Sequence, residues 1–125
     1  MEFNIKDIEA EINLAEKMFD KAMKSADNNT LQSEDAMKIR KLLDKVHHEL
    51  VKVYEIPDYT KTDHGREFIF DFERAFQHKG TPDGTEHLKK AIKASKIVFK
   101  DLVDEKKRRE GVGEVIEKRK EKGLQ

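Results

Sequence analysis

The sequence predicts an all-α fold, an up-down-up-down four-helix bundle with a short C-terminal helical appendage. Three observations lead there. Apolar residues recur at spacings of three and four in four separate segments, while the alternation that marks strands is weak. Helix start and stop signals fall between those segments. The connections are short, the longest roughly eight residues, which makes neighbouring helices antiparallel.

The first segment carries Ile5, Ile8, Ile12, Ala15, Phe19 and Ala22 on one stripe. Asn4 is its expected cap, and Asp27-Asn28-Asn29 is turn chemistry that ends it. The second repeats the pattern with Ala36, Ile39, Leu43, Val46, Leu50 and Val53. Ser33 is the expected cap, Glu34 and Asp35 favour the positive end of the helix dipole, and Pro57 bars continuation. The strict heptads of these two segments also suit a long helical hairpin that dimerises through its stripes.

The third segment is short and aromatic. Phe68, Ile69, Phe72, Ala75 and Phe76 share an arc of about 120° at 100° per residue. Thr62 or Asp63 caps it, and Gly80 closes it. The fourth opens on Thr81-Pro82-Asp83, a cap, a proline at the first helical position and an acid. Leu88, Ala91, Ser95, Val98 and Leu102 form its stripe, flanked by Ile92, Phe99 and Val103. It is expected to end near Glu110, before Gly111 and Gly113. A final amphipathic turn or two with Val112, Val115 and Ile116 follows. No internal repeat stands out. The expected organisation is one helical domain over residues 1–110 and an amphipathic, charged segment over 111–125.

Composition narrows the class. The chain has 125 residues, of which 42% are charged, against about 25% in an average soluble domain. Leu, Ile, Val and Phe still make up about a quarter, above the roughly 20% level that accompanies disorder. There is no cysteine, so disulfides, thiolate metal sites and cysteine nucleophiles are excluded. No apolar run is long enough for a signal peptide or a membrane span, and a cytoplasmic protein with no membrane contact is the expectation.

The 26 basic and 26 acidic residues cancel, but unevenly. Residues 1–84 carry a net −5 and residues 85–125 a net +5. Lys89, Lys93, Lys96, Lys100 and Lys107 fall within an arc of roughly 60° on the fourth helix, away from its core stripe. The run Lys106-Lys107-Arg108-Arg109 extends that face. Such a stripe suits a phosphate backbone or an acidic partner, and equally a solvated face that neutralises the acidic helices.

Phe70, Ile97 and Met37 stand off the core faces, with Leu14 and Met18 flanking the first stripe. Phe70 is the leading partner-binding residue, since aromatic side chains anchor interfaces. Cover by Val112, Val115 and Ile116 is the competing explanation of Phe70. The five histidines include no His-x-x-x-His pair and no Glu-x-x-His repeat, so no metal or other cofactor is expected. His78 and His87 flank the third connection, with Asp83 and Glu86 near, and are placed to approach each other.

An exposed mid-helix histidine in a four-helix bundle of this size resembles a histidine phosphotransfer domain, which implies a phosphoacceptor role for His48. The typical pattern there is His-x-Leu-Lys-Gly; here His48-Glu49-Leu50-Val51-Lys52 shifts the lysine and lacks the glycine. Arg74 and His78 are similar in type to the arginine and histidine of HEPN ribonucleases, with three residues between them where that family has four to six. No Ser-His-Asp set and no phosphate loop emerges, so no catalytic residue is assigned.

The expected function is non-enzymatic: a helical regulator, inhibitor or accessory subunit that binds a protein partner through Phe70, Ile97 and Met37, with the basic helix steering. The link to phage or mobile-element regulators is analogy of size and class. The alternative is a small subunit of a ribonucleoprotein that binds nucleic acid through residues 89–109, by analogy with small helical subunits of CRISPR effector complexes. Homodimerisation through the stripes is compatible with either.

Overall fold

A computed structural model of the chain describes the backbone of residues 5–53 and 59–121 and the side chains of residues 6–52 and 59–108. Those residues form four α-helices, α1 (Ile5–Lys24), α2 (Ser33–Val53), α3 (Asp63–Gln77) and α4 (Pro82–Glu121), and one 3₁₀ turn, Tyr59–Lys61. No strand occurs among them, and no helix there is long and apolar enough to cross a membrane.

α1 packs on α2 and α3 on α4; α1 also meets α4, and α2 meets both α3 and α4. The predicted stripes supply most of the shared core, to which Ala94, Leu31 and Tyr59 are added. Ile8, Ile12, Ala15 and Phe19 are buried from α1, and Ala36, Ile39, Leu43, Val46 and Leu50 from α2. Phe68, Phe72 and Ala75 come from α3, and Leu88, Ala91, Ile92, Ala94, Val98 and Leu102 from α4. Burial of aliphatic and aromatic side chains is the main stabilising term, about 1.5–3 kcal/mol for each large one. The side chains of Ile5 and Val53, the Asn4 cap and Pro57 lie outside the described residues.

The connections are built as turn chemistry dictates. Asn28 and Asn29 both take positive φ (53° each), a conformation that asparagine tolerates better than most residues. Leu31 is buried, and its N–H donates to the Thr85 hydroxyl at 2.9 Å. That bond ties the α1–α2 connection to the first turn of α4 and brings both odd-numbered connections to one end of the molecule.

α3 and α4 begin in the same way. Thr62-x-x-Gly65-x-Glu67 and Thr81-x-x-Gly84-x-Glu86 are one short pattern used twice. In each copy the threonine hydroxyl donates to the carbonyl three residues back, Tyr59 or His78, at 2.6 Å. It also accepts from the glycine N–H, at 3.0 and 3.1 Å. The same carbonyls explain the glycines. A Cβ on Gly65 would stand 1.8 Å from the Tyr59 oxygen, and one on Gly84 2.0 Å from that of His78.

Two expectations are corrected. α4 does not end near Glu110: it runs unbroken through Gly111 and Gly113 to Glu121. A glycine costs a helix interior only about 1 kcal/mol, which neighbouring good helix formers absorb. The last buried side chain described on α4 is Leu102, so the helix continues for roughly 28 Å beyond it. Phe76, placed on the core arc of α3, is 37% exposed. It lies at the edge of that arc, where the Arg40 guanidinium of α2 stacks on its ring.

Candidate functional site

α2 and α3 diverge around a groove of about 640 Å³, within the size range of ligand sites. α2 supplies Arg40, Asp44, His47 and His48, and α3 supplies Arg66, Ile69, Phe70, Phe72 and Glu73, with Thr60 from the 3₁₀ turn. Two residues singled out in the sequence for unrelated reasons, Phe70 and His48, therefore meet in one cleft.

Phe70 is 54% exposed, whereas Phe68 and Phe72 on either side are buried. Neighbours two apart on a helix diverge by about 160°, so one cannot enter the core with the other. The Phe70 ring meets the His87 ring edge-on at 5.9 Å, and the Arg74 guanidinium lies 5.5 Å from its centroid. The residues expected to cover it, Val112, Val115 and Ile116, have side chains outside those described.

Arg40 forms the opposite wall. Its guanidinium stacks on Phe76 at 3.9 Å and reaches Phe72 at 5.2 Å. Its Nε is shut off from water with no hydrogen-bond partner among the described residues. Met37 continues this wall beside Phe76, and the Lys79 ammonium lies 4.0 Å from its sulfur. Phe70 and Met37 thus share one face, bridged by Arg40. Ile97 is exposed on α4 and lines none of the grooves described.

Beside His47 of the groove stands Tyr59, which is wholly buried. Its hydroxyl is hydrogen-bonded to Nδ1 of His47, and its ring packs toward Phe68 at 6.5 Å. His48 stays exposed, its Nε2 3.5 Å from Asp44. On the other flank of Phe70, His87 is held between two carboxylates. Its Nδ1 lies 2.9 Å from the buried Asp71 and its Nε2 3.6 Å from Asp83. His78 instead lies 3.4 Å from Arg74, so the expected approach of His78 to His87 is replaced by separate partners on α3. No group of three or more metal-ligating side chains converges among the described residues.

The basic face of α4 divides. Lys96 is bound to Glu16 of α1, and Arg108 to Glu105 at 2.5 Å. Lys89, Lys93, Lys100 and Lys107 are exposed and form no ion pair among the described residues. The Arg109 side chain lies outside them. Sequence reasoning missed Arg40, Tyr59 and Asp71. It also passed over Arg66, although the spacing of four that joins Arg66, Phe70 and Arg74 is legible in the chain.

No protein-family model matches the chain, and neither the curated proteins nor the solved structures searched contain a match.

Proposed function

We propose that this chain is a non-enzymatic helical interaction protein of the cytoplasm that binds a protein partner through its α2–α3 face. The four helices are inferred to form an up-down-up-down bundle, a rigid frame for that face; the pairing of each helix with its chain neighbour supports this. One observation carries the functional reading. Phe70, a large aromatic residue, stands half exposed at the lip of a groove, where water contact is unfavourable and a partner would remove it. Met37 and the Arg40–Phe76 stack extend the same surface.

The test uses the full chain as bait in its native host. Phe70→Ala is expected to keep the melting temperature and to lose the partner recovered by the unaltered protein. Recovery of the same partner at the same level by Phe70→Ala would reject the reading.

A second reading, nucleic-acid binding along α4, is favoured by Lys89, Lys93, Lys100 and Lys107, exposed on one arc and in no ion pair among the described residues. Affinity for a generic oligonucleotide is then expected to fall steeply with salt, and Lys93→Glu with Lys100→Glu to abolish it. Lys96 is unsuitable for this test, since its replacement would also break the contact with Glu16. Absence of binding at low salt would reject this alternative.

A further inference from the structure

We propose that the α2–α3 groove receives an acidic segment of a protein partner, with one apolar side chain seated on Phe70 between carboxylates that reach Arg66, Arg74 and Arg40. This rests on the reading of that face as a docking surface and names the chemistry of what docks there.

The arrangement is specific. Arg66, Phe70 and Arg74 follow one another at intervals of four along α3, so all three share one stripe with roughly one helical turn between neighbours. Phe70 is thus an apolar point between two cations, and Arg40 faces it across the groove. None of these three guanidiniums forms an ion pair among the described residues. The acids at the rim are Asp44 and Glu73. Asp44 faces His48, and Glu73 forms no ion pair among the described residues; the lining thus holds two arginines and two carboxylates, and Arg74, beside Phe70 on the same stripe, adds the third guanidinium.

The arginines are also held in place before any partner arrives. Arg66 donates from Nε and Nη2 to the Lys61 carbonyl, at 3.3 and 2.9 Å. Arg74 rests against the Phe70 ring, and Arg40 is stacked on Phe76 with its Nε already removed from water. A side chain that is already ordered and partly dehydrated loses less when it pairs with a carboxylate. A planar guanidinium then offers a fork that matches a carboxylate in geometry as well as charge. Aromatic and arginine side chains together are the composition of interface hot spots.

The test is a peptide array probed with the full chain. A central Leu, Ile, Met or Phe is flanked at successive positions by Asp/Glu, by Asn/Gln or by Lys/Arg. Acid-flanked peptides are expected to bind at least about tenfold more tightly than their amide counterparts, the scale of a hydrogen bond to a charged group. Arg66→Gln and Arg74→Gln, both at exposed positions, are each expected to erase most of that difference while the far-ultraviolet circular dichroism and melting temperature stay unchanged. Replacing the central apolar residue by serine is expected to remove binding. Equal binding of acid and amide peptides, or preference for basic ones, would overturn the proposal. So would displacement by an oligonucleotide regardless of the central residue. If Phe70→Ala still loses its partner in the host while the array shows no acidic preference, the docking face stands and only its chemistry fails. If Phe70→Ala loses nothing there, the docking reading itself fails.

Discussion

Glu49 of α2 and Glu11 of α1 face one another across the seam between the two helices, and burial together with the neighbouring Glu11 carboxylate pushes the Glu49 carboxyl above its ordinary range. Lys45 answers the pair from the rim, its ammonium 2.8 Å from Glu11. Each of the two carboxyls has an Oε2 shut from water with no hydrogen-bond partner among the described residues. A raised Glu49 eases the repulsion between the two carboxylates.

The sign of the pH dependence follows. A carboxyl whose folded value is raised contributes its full share of stability below its unfolded value, and that share is lost as pH rises through the folded value. Glu49 therefore weakens the α1–α2 seam from mildly acidic pH upward, with Asp7 adding to the effect and Lys45 opposing it. Glu49→Gln keeps a donor without the charge. It is expected to raise the melting temperature at pH 7 and to flatten the melting temperature against pH between mildly acidic and neutral values.

Gly65→Ala and Gly84→Ala are each expected to cost about 2–3 kcal/mol, because the new methyl meets a backbone carbonyl that cannot move without undoing a helix start. Urea denaturation measures this. The two losses are expected to be similar, since the two turns carry the same hydrogen bonds.

Tyr59→Phe removes the bond to His47 while keeping the ring. A loss of about 1 kcal/mol is expected, against about 3–5 kcal/mol for Tyr59→Ala, which also opens a cavity under α2. A Tyr59→Phe protein as stable as the unaltered one would place the weight of this contact on packing alone.

Phe68→Ala and Phe70→Ala differ by two positions and are expected to behave oppositely. The first empties a fully buried site and is expected to cost about 3–5 kcal/mol. The second is expected to fall within about 0.5 kcal/mol of the unaltered protein. Thermal melting of the pair separates core from surface on α3.

Much of the fold was legible in the chain because its signals are local. The heptad stripes of α1 and α2, the Thr81-Pro82 start and the Asp27-Asn28-Asn29 turn each depend on residues within a few positions of one another. Leu31 and Tyr59 escaped because neither lies on a periodic stripe. Leu31 lies in the α1–α2 connection tied to α4, and Tyr59 in the 3₁₀ turn packed on α2 and α3. The end of α4 was misread for a related reason, since two glycines weaken a helix without ending it when no capping turn is present.

The candidate site divides along the same line. That Phe70 leaves the core face, and that Arg66 and Arg74 flank it, follows from the 3.6-residue repeat of a single helix. Periodicity ranks the faces of one helix but says nothing of which face of another will meet them. The approach of Arg40 to Phe76, of His87 to Asp71 and of Glu49 to Glu11 was settled only when the helices packed. Each of these pairs joins residues far apart in the chain, and their distances depend on how two helices cross rather than on how either one coils.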